Sequence, residues 1–258
     1  MKILSVANQK GGVGKTTTAI NLSAALCHFG RKVLLIDMDP QGNAGRGLGI
    51  DINRVTPTIY EVLMGDARLE EAMVTTIFDG LKVVPSNLRL ASLEASLYSN
   101  PTERPIFKLL DEALSRMAID FDYVIIDCPP SLGVLNLNAL SASSGVLIPV
   151  QCEYFAMEAV AAMLSSISNV QSSLNGKLKI EGFLLTMYDA RTQLGTEISA
   201  EVRRLFKENT FGTMIPRNQS VSESQARCLP VTSFRPTSQG AQAYFGLARE
   251  IIDHEEIR

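Results

Sequence analysis

The sequence predicts an α/β fold in which a mostly parallel, twisted sheet carries helices on both faces. Short apolar runs alternate along the chain with longer segments of helical periodicity. The short runs are apolar throughout, which is typical of parallel strands buried on both faces. No internal repeat and no clear linker interrupts this alternation, so residues 1–258 are predicted to form a single domain.

Seven strands are predicted from the apolar runs, and eight helices from the segments between them. The strands are residues 3–7, 33–36, 81–84, 123–126, 145–150, 183–186 and 211–215. The helices are residues 15–29, 58–75, 88–98, 103–118, 133–143, 153–173, 195–209 and 238–255. The apolar residues of the first helix recur at helical spacing, at Ala19, Leu22, Leu26 and Phe29. Gly30 is a residue type that commonly follows the end of a helix. Residues 40–118 are the least regular part of the chain.

Composition excludes several classes of protein. The formal net charge is -3, so binding to nucleic acid would need a local basic patch. The four cysteines form no C-x-x-C pair, which favours a reducing compartment. The first seven residues are too short for a signal peptide, and no apolar run reaches the roughly 18 residues of a membrane span. We therefore expect a cytoplasmic protein without a separate operator-binding domain before the first strand.

A glycine-rich segment follows the first predicted strand and precedes the first helix. It resembles the phosphate-binding pattern G-x-x-x-x-G-K-[ST], which Gly14, Lys15 and Thr16 satisfy. Gln9 stands where that pattern has its first glycine, and Lys10 is an additional lysine. Backbone N–H groups of such a loop, with the helix N-terminus, surround phosphates. Lys15 is expected to reach the terminal phosphates and Thr16 to ligate Mg²⁺.

Acidic residues follow two other predicted strands. Asp37 and Asp39 come after the second strand and project the same way in extended chain, which Pro40 favours at Asp39. Asp127 ends the fourth strand. Ligands of such folds bind at the carboxyl ends of the strands, so these carboxylates are expected beside the loop. A carboxylate at the end of an apolar strand beside such a loop commonly binds Mg²⁺, either directly or through its water ligands.

These motifs together resemble the ParA/Soj group of partition ATPases, within the deviant-Walker-A class that also contains MinD. The matching segments are residues 10–17 (KGGVGKTT), 37–43 (DMDPQGN), 126–133 (IDCPPSLG), 186–192 (TMYDART), 215–218 (IPRN) and 236–244 (PTSQGAQAY). The first segment indicates the class, and the last three favour ParA/Soj within it.

The resemblance implies a nucleotide-switched homodimer with ATP and Mg²⁺ as its cofactors. Two subunits would close around two ATP molecules, with Lys10 crossing to the partner's phosphates. Asp39 would position the attacking water, Asp37 would support the metal region, and Asp127 would hold Mg²⁺ through water. The implied nucleotide-binding residues are Lys10, Gly11, Gly12, Val13, Gly14, Lys15, Thr16 and Thr17, with Pro216 and Asn218 at the adenine.

The resemblance also implies partners. The ATP-bound dimer would bind DNA without sequence preference, associate with the nucleoid and leave DNA on hydrolysis, which a ParB-like adaptor protein would stimulate. Candidate phosphate contacts are Arg191, Arg203, Arg204, Lys207 and Arg227. Ser220 stands where the group has a DNA-contacting arginine, and Arg227 or Arg235 is expected to compensate.

Three alternative functions remain open from the sequence. A MinD-like membrane-cycling ATPase needs a basic amphipathic C-terminal helix, whereas residues 249–258 here include several acids. An iron–sulfur carrier needs cysteines facing a dimer interface, for which Cys128 is the candidate, although no paired spacing supports it. An ATPase that positions a protein complex would differ only in its partner, and Ser220 keeps this reading open.

Overall fold

The computed structural model describes residues 1–99, 105–131, 133–153 and 156–256. A seven-stranded sheet lies at its centre, in the order β3-β4-β2-β5-β1-β6-β7. All neighbouring strands are parallel except β3, which pairs antiparallel with β4. The strands are β1 (Lys2–Val6), β2 (Val33–Asp37), β3 (Val74–Thr75), β4 (Leu81–Val84), β5 (Tyr123–Asp127), β6 (Gly145–Gln151) and β7 (Lys179–Thr186).

Helices occupy the connections between the strands. In the described residues they are α1 (Lys15–His28), α2 (Asn43–Gly47), α3 (Ile59–Met64), α4 (Leu93–Ser99), α5 (Leu109–Ser115), α6 (Val134–Ala142), α7 (Ala156–Ser173), α8 (Gln193–Phe206), α9 (Gln219–Ala226), α10 (Val231–Phe234) and α11 (Gln239–Glu256). Turns of 3₁₀ helix lie at Leu69–Ala72, Leu88–Ser92 and Lys207–Asn209.

The two faces of the sheet bury separate apolar clusters. On one face Leu35 and neighbouring strand residues pack against α1 and α11. On the other face Leu34 and Ile36 pack against apolar side chains of α3 to α8. Because successive residues of a strand point to opposite faces, runs that are apolar throughout supply both clusters. The predicted sheet with helices on both faces is confirmed.

The strand predicted at residues 211–215 is wrong. This segment runs beside β7, and the backbone N–H groups of Phe211 and Ile215 donate to the carbonyls of Phe183 (3.1 Å) and Leu185 (2.8 Å). Between those two bonds, however, the N–H groups of Gly212 and Thr213 donate to the Glu250 carboxylate of α11, at 2.9 and 2.7 Å. The Glu250 side chain therefore takes the Thr213 N–H, which a continuous parallel ladder with β7 would need, and only isolated bridges form.

The region 58–75 was predicted as one helix, and the structure divides it. Gly65 ends α3 with a φ of +89°, a conformation that glycine adopts without steric cost. A 3₁₀ turn and the edge strand β3 follow. The helix predicted at 103–118 is observed from residue 109, while residues 103 and 104, like residues 154 and 155 of the predicted 153–173 helix, lie outside the described residues.

Candidate active site

The carboxyl ends of three adjacent strands bring the predicted chemistry to one edge of the sheet. In the strand register Val6 of β1 pairs with Asp127 of β5, and Asp127 pairs with Asp37 of β2. The glycine-rich loop that begins after Val6 therefore lies beside both acids. The expected grouping of loop and carboxylates at one sheet edge is observed.

The loop after β1 is fixed at both ends and open in the middle. The amide of Asn8 donates to the Pro149 carbonyl (2.7 Å), while its oxygen accepts from the Lys10 N–H (3.0 Å). The Thr186 hydroxyl donates to the Val13 carbonyl (2.9 Å). Gly12 has a φ of +74°, and a Cβ there would meet no atom within 4 Å. Glycine is thus required by the backbone conformation, and the loop surface is free to receive a ligand.

Lys15 opens α1 and lies beneath this loop. Its side chain is buried, and Nζ donates to the Lys10 carbonyl at 3.0 Å. Burial lowers the pKa of Lys15, and the charge of Asp127 opposes this effect. An anionic ligand on the loop would supply a countercharge in place of the water that burial has removed.

Asp127 is the most isolated carboxylate of the site. It has no exposed surface, and neither oxygen meets a donor at hydrogen-bonding geometry within the described residues. Burial raises the pKa of Asp127 well above its usual range, and the charge of Asp37 adds to the effect, whereas the nearby Thr16 hydroxyl favours the ionised form. A buried carboxylate without a donor suits a cation or its bound water, so this residue fits Mg²⁺.

The described part of the chain contains no group of three or more His, Cys, Asp or Glu side chains that could hold a metal ion by themselves. Mg²⁺ commonly binds through one or two protein ligands, several waters and the phosphates of a nucleotide. Asp127 and the Thr16 hydroxyl are the residues that could supply that limited protein share.

Asp37 is fully buried and organises the turn after β2. Its oxygens accept from the N–H groups of Asp39 (3.1 Å), Ala44 (2.9 Å) and Gly45 (3.3 Å). Burial raises the pKa of Asp37 to about 7. Asp39 itself is half-buried. Asp37 therefore fixes the backbone that presents the Asp39 carboxylate.

The Lys10 side chain is directed toward Glu153. Its ammonium lies 3.8 Å from the Glu153 carboxylate, which also lies 3.6 Å from the Arg217 guanidinium. Glu153 follows the carboxyl end of β6. Lys10 and Lys15, although both in the predicted motif, thus occupy different environments.

A cavity of about 340 Å³ adjoins the loop. It is lined by four of the predicted nucleotide-binding residues, Gly14, Thr17, Pro216 and Asn218. The Asn218 carboxamide oxygen caps α9 by accepting from the Ser220 N–H (3.1 Å). The remaining loop residues, Gly11, Gly12, Val13 and Thr16, lie in the same strand–loop–helix connection.

Sequence reasoning did not assign the other nine residues that line this cavity, among them Thr186, Met187 and Gln225. Thr186 ends β7 and Met187 follows with a φ of +51°, so the rule that strand ends carry the site could have indicated both. Gln225 lies near the end of α9, and its amide donates to the Thr17 hydroxyl. No local pattern in the sequence marks Gln225.

The predicted DNA-contacting residues do not form one patch. Arg191 precedes α8 and makes a two-point contact with Asp189, at 2.9 and 2.7 Å. Arg204 pairs with Glu201, Arg203 donates to the Gly212 carbonyl, and Lys207 follows the helix. Because the 14 residues of α8 span about 21 Å, the helix separates Arg191 from these three cations.

Two other arginines flank one aromatic ring beside Ser220. The guanidinium carbons of Arg227 and Arg235 lie 5.6 and 5.2 Å from the centroid of the Phe234 ring. Arg235 also approaches the Ser220 hydroxyl at 3.5 Å and pairs with Glu223 at 3.0 Å. The guanidinium of Arg235, the residue that follows α10, thus lies next to Ser220.

Comparison with known proteins gives the family. A family model described as an AAA domain matches residues 1–180. The sporulation initiation inhibitor protein Soj of Bacillus subtilis is 45% identical over 97% of this chain and 98% of its own. The chain belongs to the ParA/Soj family. The chromosome partitioning protein ParA of Caulobacter vibrioides is also 45% identical, over 100% of this ParA/Soj chain and 96% of its own.

A solved structure shares the ParA/Soj-type fold. A Mycobacterium smegmatis protein named cobyrinic acid a,c-diamide synthase, with bound ATP analog and magnesium, is 40% identical and superimposes with a TM-score of 0.87. The match covers 99% of this chain and 95% of that one.

Further observations bear on the alternative functions of this family member. Cys128 is buried, with 1% exposure, and lies in the core rather than at a surface that a partner could reach. The apolar side of α11 packs against α1 through Tyr244, Leu247 and Ile251. Among the described residues, no helix is long and apolar enough to cross a membrane. Leu132, within the motif 126–133, lies outside the described residues.

Proposed function

We propose that residues 1–258 form one ATPase domain that binds ATP with Mg²⁺, hydrolyses it and acts in chromosome or plasmid partition. The observation that carries this proposal is the unpartnered, fully buried carboxylate of Asp127 beside a buried Lys15 under an open glycine-rich loop. A ligand that offers a cation to Asp127 and an anion to Lys15 would compensate both buried charges. Mg²⁺ bound to a polyphosphate supplies both.

The loop and the residues around it are proposed to hold the nucleotide. The backbone N–H groups of residues 10–17 bind the phosphates, and Lys15 neutralises their charge. The Thr16 hydroxyl and Asp127 hold Mg²⁺, with Asp127 acting through water. Bound there, Mg²⁺ would neutralise charge on the phosphate oxygens. Pro216 and Asn218 contact the adenine from the 340 Å³ cavity.

Asp39 is the proposed residue for the hydrolytic water. It lies in the turn after β2, and the buried carboxylate of Asp37 holds its N–H at 3.1 Å. A carboxylate fixed in this way accepts a hydrogen bond from water and orients the water for attack on the terminal phosphate.

Lys10 is proposed to act on a partner subunit. Its ammonium lies 3.8 Å from the carboxylate of Glu153, whose side chain is 47% exposed. In an ATP-bound homodimer joined at this face, Lys10 would offset charge on the partner's phosphates. Dimer formation then depends on the terminal phosphate and ends with hydrolysis.

The ATP-bound dimer is proposed to bind DNA without sequence preference through Arg191, Arg227 and Arg235. All three are exposed, and Arg227 and Arg235 flank Phe234 next to Ser220. Arg191 and Arg235 are paired with Asp189 and Glu223, so phosphates would have to replace these acids. Hydrolysis, stimulated by a ParB-like adaptor protein, would release the DNA.

The test is binding of Asp39→Ala to non-specific duplex DNA, with ATP or ADP, across a salt series. We expect binding with ATP alone, weakening steeply with salt as counterion release requires. The matched control is Asp39→Ala combined with Lys15→Ala, which should bind neither nucleotide nor DNA. Dimerisation with ATP but no DNA binding at low salt would instead favour an ATPase that positions a protein complex.

A further inference from the structure

Helix α9 contacts the candidate site at both of its ends. Asn218, at its N-terminus, lines the 340 Å³ cavity, and Gln225, in its last turn, lines the same cavity. Gln225 also lines a second cavity, of about 300 Å³, beside Thr16. This one side chain therefore lies between the space proposed for the base and the space beside the proposed metal ligand.

The Gln225 side chain makes a specific contact with the first turn of α1. Its amide nitrogen donates to the hydroxyl oxygen of Thr17. Thr17 is further held through its carbonyl, which accepts from the Asn21 amide at 2.8 Å. Asn21 in turn accepts from the N–H of Val231 in α10, at 2.7 Å. The first turn of α1 is thus tied to both α9 and α10.

The direction of the Gln225 bond has a chemical consequence. An amide NH₂ only donates, so the Thr17 oxygen is the acceptor in this contact. A hydroxyl has one proton, which is then free to point elsewhere. Thr17 is the third residue of α1 and lines the cavity with Gly14, so this proton is available to a phosphate bound on the loop.

We propose that Gln225 is a positioning residue for the nucleotide, which orients the Thr17 hydroxyl to donate to a phosphate. This inference rests on the proposed function, because it assumes that a nucleotide occupies the loop. Gln225 does not itself carry the reaction. Its effect is specific to ligands that bear phosphates.

The test compares Gln225→Leu and Gln225→Glu with the unmodified chain, using calorimetric titration with ADP, ATP and adenosine. Gln225→Leu keeps the size and removes the donor, so ADP and ATP affinity should fall roughly 3- to 10-fold. Gln225→Glu replaces a donor with an acceptor and adds negative charge near the phosphates, so the loss should be larger. Adenosine affinity should not change in either variant.

A double-mutant cycle shows whether Gln225 acts through Thr17. In a Thr17→Val background, Gln225→Leu should cost less than about 2-fold further, because the hydroxyl it orients is gone. The matched control is Gln242→Leu, since Gln242 is an exposed glutamine of α11 that donates to the Pro236 carbonyl away from both cavities. Its nucleotide affinities should equal those of the unmodified chain.

Three results would overturn the inference. They are unchanged ADP affinity in Gln225→Glu, an undiminished effect of Gln225→Leu in the Thr17→Val background, and an equal loss for adenosine and ADP. A failure of the unmodified chain to bind ADP and ATP would refute the proposed nucleotide function itself, which separates the two outcomes.

Discussion

At the scale of single residues, the site is defined by charges that are buried before any ligand arrives. Lys15 and Asp127 have 7% and 0% exposure. Burial lowers the pKa of Lys15 and raises the pKa of Asp127, so it favours the neutral form of each side chain. Each disfavoured charge is restored by a ligand of opposite sign. The site therefore favours a ligand that carries both signs, such as a nucleotide with its Mg²⁺.

Lys15→Ala should abolish ATP binding. The variant loses the buried ammonium that donates to the Lys10 carbonyl, and with it a charged donor to the phosphates. We expect ATP affinity to fall by about 100-fold or more in calorimetric titration, since charged hydrogen bonds contribute more than neutral ones. Lys177→Ala, at an exposed lysine, is the control. Near-normal affinity in Lys15→Ala would contradict the assignment of the loop.

Cys228 provides a chemical reporter of the same site. It is exposed and lines the 300 Å³ cavity with Thr16, whereas Cys128 and Cys152 are buried. Burial raises the pKa of Cys27 to about 12, so little of its reactive thiolate is present at pH 8. Iodoacetamide at pH 8 should therefore label Cys228 first, and Mg²⁺ with ATP should slow this labelling.

Mass spectrometry of the alkylated peptides checks the reporter. Cys228→Ser should remove the rapid labelling and leave ATP affinity unchanged. Equal labelling of Cys228 with and without Mg²⁺–ATP would place the bound ligand elsewhere on the molecule.

At the scale of elements, connections are fixed by buried polar side chains rather than by apolar contact alone. Asn138 of α6 is fully buried. Its amide donates to the carbonyls of Ile106 and Val134, at 2.8 and 2.9 Å, and its oxygen accepts from the Leu110 N–H at 3.2 Å. One side chain thus joins α6, α5 and the segment before α5.

Asn138→Leu should destabilise the fold without changing the site. Removing the amide leaves buried backbone groups without partners, which we expect to cost about 2–4 kcal/mol of unfolding free energy. Urea denaturation measures this change, with Asn53→Leu at an exposed position as control. ATP affinity of the folded variant should equal that of the unmodified chain, and a loss of stability below about 0.5 kcal/mol would show that the network is dispensable.

Sequence periodicity predicted most of the elements. It was wrong where a distant side chain takes a backbone N–H group that a regular strand would use. The strand expected at 211–215 is prevented by Glu250, which lies about 38 positions away in sequence and takes the N–H groups of Gly212 and Thr213. Local patterns carry no signal for such a contact. The same holds for Gln225, because its partner Thr17 lies 208 positions away.

The motif residues, by contrast, could be located from sequence because strand ends fix them. Val6, Asp37 and Asp127 share one register level in parallel strands. The basic residues could not be placed in this way. The length of α8 separates Arg203, Arg204 and Lys207 from Arg191, which their nearness in sequence did not indicate.

At the scale of the whole molecule, the site lies at the surface, and its completion is proposed to require a second copy. Lys10→Ala should bind ATP with nearly normal affinity, because Lys15 remains beneath the loop. The variant should fail to dimerise with ATP, since the charge that would cross to the partner is gone. Sedimentation of Lys10→Ala in the Asp39→Ala background, with ATP or ADP, measures this. An ATP-dependent dimer in the double variant would remove Lys10 from the crossing role.

The two edges of the sheet offer little free backbone to a second molecule. At one end β3 has two residues, and at the other the segment 210–216 runs alongside β7, where Glu250 binds two of its N–H groups. Short or covered edges block strand-to-strand growth into fibres. These edges would therefore disfavour polymerisation of crowded copies through their sheets and leave reversible association to other surfaces.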